Sequence, residues 1–187
     1  MARDSAATRA RILAAAIEEF GAHGLAGARI DRIAEAAEAN KRSIYVYYGS
    51  KDALFEAAMT HVVEDISASV PLDTDDLPAY MGRIFDYYLA HPSVVRMAMW
   101  LPLERPVSGP NETQAYAKKV AALSSSGGAI DGLPASDLVM FVNALAQSWF
   151  MSPDSLLAAD GLEPRSEERA RVHRAALVEA VRRIVAG

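Results

Sequence analysis

Apolar residues recur along this chain at the spacing of helices, not strands. From about Thr8 to Phe20, the residues Ile12, Leu13, Ala16, Ile17 and Phe20 fall on one stripe. Ser5 or Thr8 is placed to cap its start, and Gly21 and Gly24 to end it. A short second helix from about Ala28 to Ala37 turns Ile30, Ile33, Ala34 and Ala37 inward. Asn40 suits the N-cap of a third short helix ending near Tyr48. Ser50 suits the cap of a fourth, from Lys51 to about Ser69, with Asp52 placed to favour its dipole.

Pro71 with Asp73, Asp75 and Asp76 marks a loop. Helices are then expected over about Leu77 to Ala90, Ser93 to Leu101, Asn111 or Thr113 to Ser124, Pro134 to Met151 and Arg165 to Ala186. The stretches Pro102 to Pro110, Ser124 to Gly128 and Ser152 to Pro164 read as connectors rich in proline or small residues. No segment alternates convincingly as a strand, and no internal repeat is found. The expectation is an all-α chain of about nine helices: an N-terminal three-helix unit fused to a C-terminal helical bundle.

Composition changes this picture only at the edges. The chain has 187 residues, is 51% hydrophobic and contains no cysteine. It is long enough to bury a substantial core, and disulfides, thiolate metal sites and a cysteine nucleophile are excluded. The N-terminal apolar run is broken by Glu18 and Glu19, unlike an export signal. No apolar stretch reaches the roughly 20 residues that span a bilayer. A soluble cytoplasmic protein with no membrane partner is expected.

Charge points to one place. The whole chain carries −5, but residues 1–51 hold +2 and residues 52–187 hold −7. The stretch KRSIYVYYGSK, residues 41–51, puts three cations beside three tyrosines. At about 100° per residue, Ile44 and Tyr48 share one face of the third helix, and Arg42 and Val46 the opposite face. Small Ala34 and Ala37, then the short turn Glu38-Ala39-Asn40, complete the requirements of a helix-turn-helix. Arg42 could take guanine O6 and N7 together, and Val46 a thymine methyl. Lys41, Ser43, Tyr45 and Tyr47 could reach phosphates, and Lys51 lies at a helix N-terminus that favours one.

Residues 8–57 resemble the TetR family of bacterial transcriptional regulators. The resemblance is carried by Ile12-Leu13, Ala16, Phe20, Gly24, Ile33-Ala34, Ala37, Ser43-Ile44-Tyr45, Tyr47-Tyr48, Ser50-Lys51 and Leu54-Phe55, in register without a gap. It implies operator DNA as partner, with Lys41, Arg42, Ser43, Tyr45, Tyr47 and Lys51 as contacts and the motif spanning about Ala28 to Tyr47. Residues 1–50 would be the DNA-binding domain, and residues 51–187 would bind ligand and dimerise. Three positions depart from the family pattern. Glu38 stands where the turn usually has glycine, which carries strain if φ is positive. Ala28 stands at the usual Thr or Ser cap, so Gly27 or a shifted start must serve. Arg42 replaces a commonly small residue.

One recognition helix contacts few base pairs, so a homodimer reading two half-sites is expected. Leu138 to Met151 and Val172 to Ile184 are the candidate interface, and resemble the family's last two helices. The resemblance also implies a small-molecule pocket between the fourth and eighth helices. Phe85, Tyr88, Trp100 and Trp149 are its candidate lining, aromatic side chains that elsewhere serve as ordinary core. His23, His61, His91 and His173 show no metal spacing, and no phosphate loop or nucleophile elbow is present. No cofactor, metal or catalytic residue is expected. The family direction is a repressor released from its operator by a small molecule. The alternative is a helical carrier or enzyme with a vestigial helix-turn-helix.

Overall fold

The computed structural model of the chain describes residues 2–105, 109–126 and 132–186, with side chains from Ser5 onward. Ten helices and no β-strand occur among the described residues: α1 (Ala2–Gly27), α2 (Ile30–Ala36), α3 (Lys41–Tyr48), α4 (Lys51–Ser69), α5 (Leu77–Ala90), α6 (Pro92–Glu104), α7 (Pro110–Ser125), α8 (Ala135–Met151), α9 (Asp154–Leu157) and α10 (Glu167–Ala186). None is long and apolar enough to cross a membrane. The all-α expectation holds. The tenth helix is the four-residue α9, inside the stretch expected to be a plain connector.

The chain forms two compact units. The first comprises residues 1–65 and 91–113, the second residues 66–90 and 114–187. In the first, α1 buries Ile12, Ala16 and Phe20, the stripe read from the sequence. Phe20 meets Phe55 of α4 edge to face at 5.0 Å. Full burial of such side chains contributes about 1.5–3 kcal/mol each.

Several boundaries differ from expectation. α1 starts at Ala2, so Ser5 and Thr8 lie within the helix and do not open it. It continues through Gly21 and breaks at Gly24, where φ 66° and ψ 179° are not helical. The reason is α6, which packs along α1. A Cβ on Gly21 would stand 2.6 Å from the Ser93 carbonyl oxygen, so glycine serves close helix approach there. Beside it, the Ser93 hydroxyl donates to Glu18 at 2.5 Å. Beyond the Gly24 break, the Glu104 carboxylate accepts the N–H groups of Leu25 and Ala26. These would otherwise be orphan donors at a helix start. That anchorage and the buried Leu101 carry α6 to Glu104, through Pro102, where a proline-rich loop was expected. The expected flexible break over 124–128 lies partly outside the described residues: α7 runs to Ser125.

The start of α2 is also shifted. Its N-cap is Arg29, which offers no side-chain cap. Glu19 of α1 compensates, accepting the Arg29 N–H at 2.8 Å and the Arg32 guanidinium. Burial pushes the Glu19 carboxyl up. The Arg32 and Arg29 hydrogen bonds, with the Arg32 charge, outweigh it and hold the carboxyl below its ordinary value.

In the second unit, α5 packs on α8 and α10. Phe85 meets Trp149 edge to face at 6.0 Å, and His173 lies 5.4 Å from both rings. Burial, then the nearby Arg169, lowers the His173 pKa, so its ring is neutral at pH 7. On the last helix Leu177 and Val181 are buried, while Val172 is 41% exposed.

Two outcomes test this packing. Gly21→Ala should lower the unfolding free energy by about 1–3 kcal/mol in urea, because the Ser93 backbone cannot yield cheaply; an unchanged midpoint would contradict the close approach. A carboxyl with a lowered folded pKa stabilises above its unfolded value and loses that contribution as pH falls through the folded one. Wild-type stability should therefore drop below about pH 4.5, and Glu19→Gln should flatten that part of the curve. Parallel curves for the two proteins would remove Glu19 from this role.

Candidate DNA-binding site

α2 and α3 are too short to persist alone, so packing must hold them. α2 buries Ile30, Ile33 and Ala34 against the rest of the unit. The turn closes with the Ala39 N–H on the Ala34 carbonyl at 2.9 Å, and Arg11 Nε donates to the Ala37 carbonyl at 3.0 Å. Glu38 sits at φ 48°, the left-handed region where its Cβ is crowded. The strain expected from replacing glycine in the turn is therefore present.

α3 is capped as the sequence indicates. The Asn40 side-chain oxygen accepts the Arg42 N–H at 2.8 Å. Ile44 is 1% exposed and faces the core. The Tyr48 hydroxyl donates to the Arg9 carbonyl at 3.1 Å, and its partial burial raises the phenol pKa despite the charge of Arg9. At its end, Gly49 takes φ 83°, and the Ser50 hydroxyl accepts the Ala53 N–H to open α4.

The opposite face is open. Arg42 is exposed, Val46 is 71% exposed and Tyr45 is 45% exposed. Ser43 and Tyr47 are half-buried at its flanks. Two candidate contacts are occupied by the protein itself. Lys41 pairs with Asp31 of α2 at 2.6 Å. Hydrogen bonding and charge across that pair lower the Asp31 pKa and raise that of Lys41. Lys51 Nζ donates to the carbonyls of Ala26 and Ala28, at 3.4 and 3.3 Å. Its ammonium thus ties the start of α4 to the end of α1. Sequence reasoning missed Arg9, whose guanidinium lies 5.6 Å from the Tyr47 ring and 5.9 Å from the Tyr48 ring. It comes from α1, so no local pattern around α3 could disclose it.

The four candidate ligand-lining residues divide. Phe85, Tyr88 and Trp149 belong to the second unit and are buried, with Phe85 on Trp149 and Tyr88 on the ring of Phe150 at 6.2 Å. Trp100 belongs to the first unit, half-buried on α6. A cleft of about 320 Å³ in the first unit is lined by residues that include Met59, Thr60, Leu101, Arg105 and Asn111, and by none of those four. Among the described residues no cluster could hold a metal ion.

Comparison with known proteins agrees with this geometry. Residues 12–58 match the family model "Bacterial regulatory proteins, tetR family", and residues 76–183 match "Tetracyclin repressor-like, C-terminal domain". The chain is 44% identical over 152 residues to the HTH-type transcriptional repressor SCO4008 of Streptomyces coelicolor, covering 78% of this chain and 79% of that one. Its fold is similar to the solved structure of SCO4942 from Streptomyces coelicolor, with TM-score 0.81, 35% identity, and 95% and 97% of the two chains covered. It also shares its fold with AibR, solved with isovaleryl coenzyme A and operator DNA, at TM-score 0.65 and 16% identity over 93% and 97% of the chains. A short braced helix with a cationic outer face, matched at both ends of the chain by one family's models, places this protein in the TetR family of DNA-binding bacterial transcriptional regulators.

Proposed function

We propose that the chain is a cytoplasmic, dimeric repressor that reads a duplex operator with α3 and leaves it when a small molecule binds. The observation that carries this reading is the phase of α3: Ile44 is buried while Arg42 and Val46 stand in solvent. In this reading residues 1–50 bind DNA, and residues 51–187 take the ligand and dimerise. Arg42 reads a guanine and Val46 a thymine methyl. Ser43, Tyr45 and Tyr47 hold phosphates at the groove edges, and Lys41 exchanges Asp31 for one. Lys51 braces the reader from behind and reaches a phosphate only by giving up its carbonyl partners.

Dimerisation through α8 and α10 is supported by apolar side chains left in water on both. Met140, Phe141 and Met151 of α8 are 56%, 43% and 66% exposed, and Val172 of α10 is open as well. Such a patch suits a two-fold contact. Buried aromatic residues with polar tips on α5, Tyr80 and Tyr88, support a small-molecule site beyond residue 50. The likeness of fold to AibR, which was solved with both isovaleryl coenzyme A and operator DNA, supports a protein that takes both DNA and a small molecule.

The test is binding to DNA from the chain's own promoter. Log affinity should fall with log salt, with a slope of about 0.9 per phosphate contact. Arg42→Ala should cost about 1–3 kcal/mol on the preferred site and relax its base preference. The free protein should sediment at twice its 20.1 kDa chain mass. Sequence-blind binding, or specificity untouched in Arg42→Ala, would overturn the assignment of the reading face.

A further inference from the structure

Lys119, a half-buried cation of the second unit, pairs with no acid among the described residues. Lys119 of α7 sends Nζ to the phenol oxygen of Tyr80 on α5 at 3.3 Å, and lies 6.0 Å from the centre of that ring. Among the described residues no carboxylate pairs with it, and burial alone shifts its pKa, downward. An ammonium drawn out of water without a counter-charge is costly. A lysine on a helix surface would ordinarily extend its head into solvent. Here the head is turned onto a phenol that is only 3% exposed.

Further phenols lie on the same two helices. Tyr88 lies two turns along α5 from Tyr80, and Tyr116 lies one turn before Lys119 on α7. Tyr116 and Tyr80 both act electrostatically on Tyr88, so these side chains form one strip. Burial raises the Tyr80 phenol to about 12 and the Tyr88 phenol further, so both keep their protons at neutral pH. The charge of Arg83, which is itself tied to Asp73 at 3.2 Å, acts in the opposite direction on the Tyr80 phenol. Tyr116 is 44% exposed and opens the strip to solvent. One ammonium and the protonated phenols of Tyr80 and Tyr88 make a surface that can donate hydrogen bonds, and among the described residues no carboxylate is paired with the ammonium. A charge-assisted acceptor is the missing complement.

We infer that this face of α5 and α7 recognises an organic carboxylate, whose oxygens engage the Lys119 ammonium and the Tyr80 phenol while its carbon body lies along Tyr88 and Tyr116. The inference rests on the reading that the helices beyond residue 50 take a small molecule, and it names the class. Lys119 confers the preference for an anion; Tyr80 orients it.

Calorimetric titration of the whole protein with matched acid and amide pairs tests this: phenylacetate against phenylacetamide, and hexanoate against hexanamide. At least one acid should bind about tenfold or more tightly than its amide. Lys119→Met should abolish that preference, Lys119→Arg should retain it, and Tyr80→Phe should weaken it in part. The thermal midpoint of Lys119→Met should be equal or higher, since the variant removes a desolvated charge and keeps the aliphatic stem. If no acid is preferred to its amide, or if Lys119→Met keeps the preference, the inference is overturned. Operator release is measured separately. Acid binding at Lys119 without release supports this site and counts against the ligand-responsive reading. Release by neutral compounds, with no preference for acids, supports that reading and overturns the carboxylate site.

Discussion

The burial of one aliphatic side chain, Ile44, governs what this protein can present to DNA. α3 has eight residues, too few for its own hydrogen bonds to hold it in water. Its position is therefore decided by what it packs on. With Ile44 fully inside, the helix has one rotational phase, and Arg42 and Val46 must face outward. The Asn40 cap, the Tyr48 hydroxyl on the Arg9 carbonyl and the Gly49 turn then leave its two ends little freedom. The side chains that face solvent are positioned by those that do not.

The same unit is tightened from the other side by α6. Its first turn meets α1 backbone to backbone at Gly21 and Ser93, and its last residue caps Leu25 and Ala26 beyond the Gly24 break. Those two residues lead into α2, and the Ala26 carbonyl also receives the Lys51 ammonium. The end of α1, the start of α4 and the end of α6 thus share one small set of hydrogen bonds. A displacement of any of them would be felt at the helix-turn-helix. Charge in this unit is largely committed: Arg32 to Glu19, Lys41 to Asp31, Lys51 to carbonyls. Arg42 has no ion pair among the described residues, in keeping with a group reserved for an outside partner.

What was legible in the sequence was local or periodic. The phase of Ile44 against Val46 and the caps at Asn40 and Ser50 each follow from a few neighbouring residues, and the strain at Glu38 from what the family resemblance implies for the turn. The rest depended on partners far along the chain. Glu104 meets amides 78 and 79 residues away, and nothing in its surroundings announces a cap. Pro102 reads as a helix stop, yet tertiary contacts carry α6 past it. Lys41 and Lys51 read as free cations, because periodicity assigns a side to a residue and not a partner. Phe85 and Trp149 read as candidate lining residues, but nothing in the sequence pairs one ring with the other. Lys119 and Tyr80, thirty-nine residues apart, gave no sign of each other.

The central claim is that the Arg42 and Val46 side of α3 is the surface the operator covers. The chain has no cysteine, so a single introduced thiol reports on one position alone. Val46→Cys should react rapidly with a maleimide in the free protein. Operator DNA should protect it strongly, and DNA of unrelated sequence much less. Equal labelling with and without the operator, in a protein shown to be bound, would mean that another surface reads the DNA.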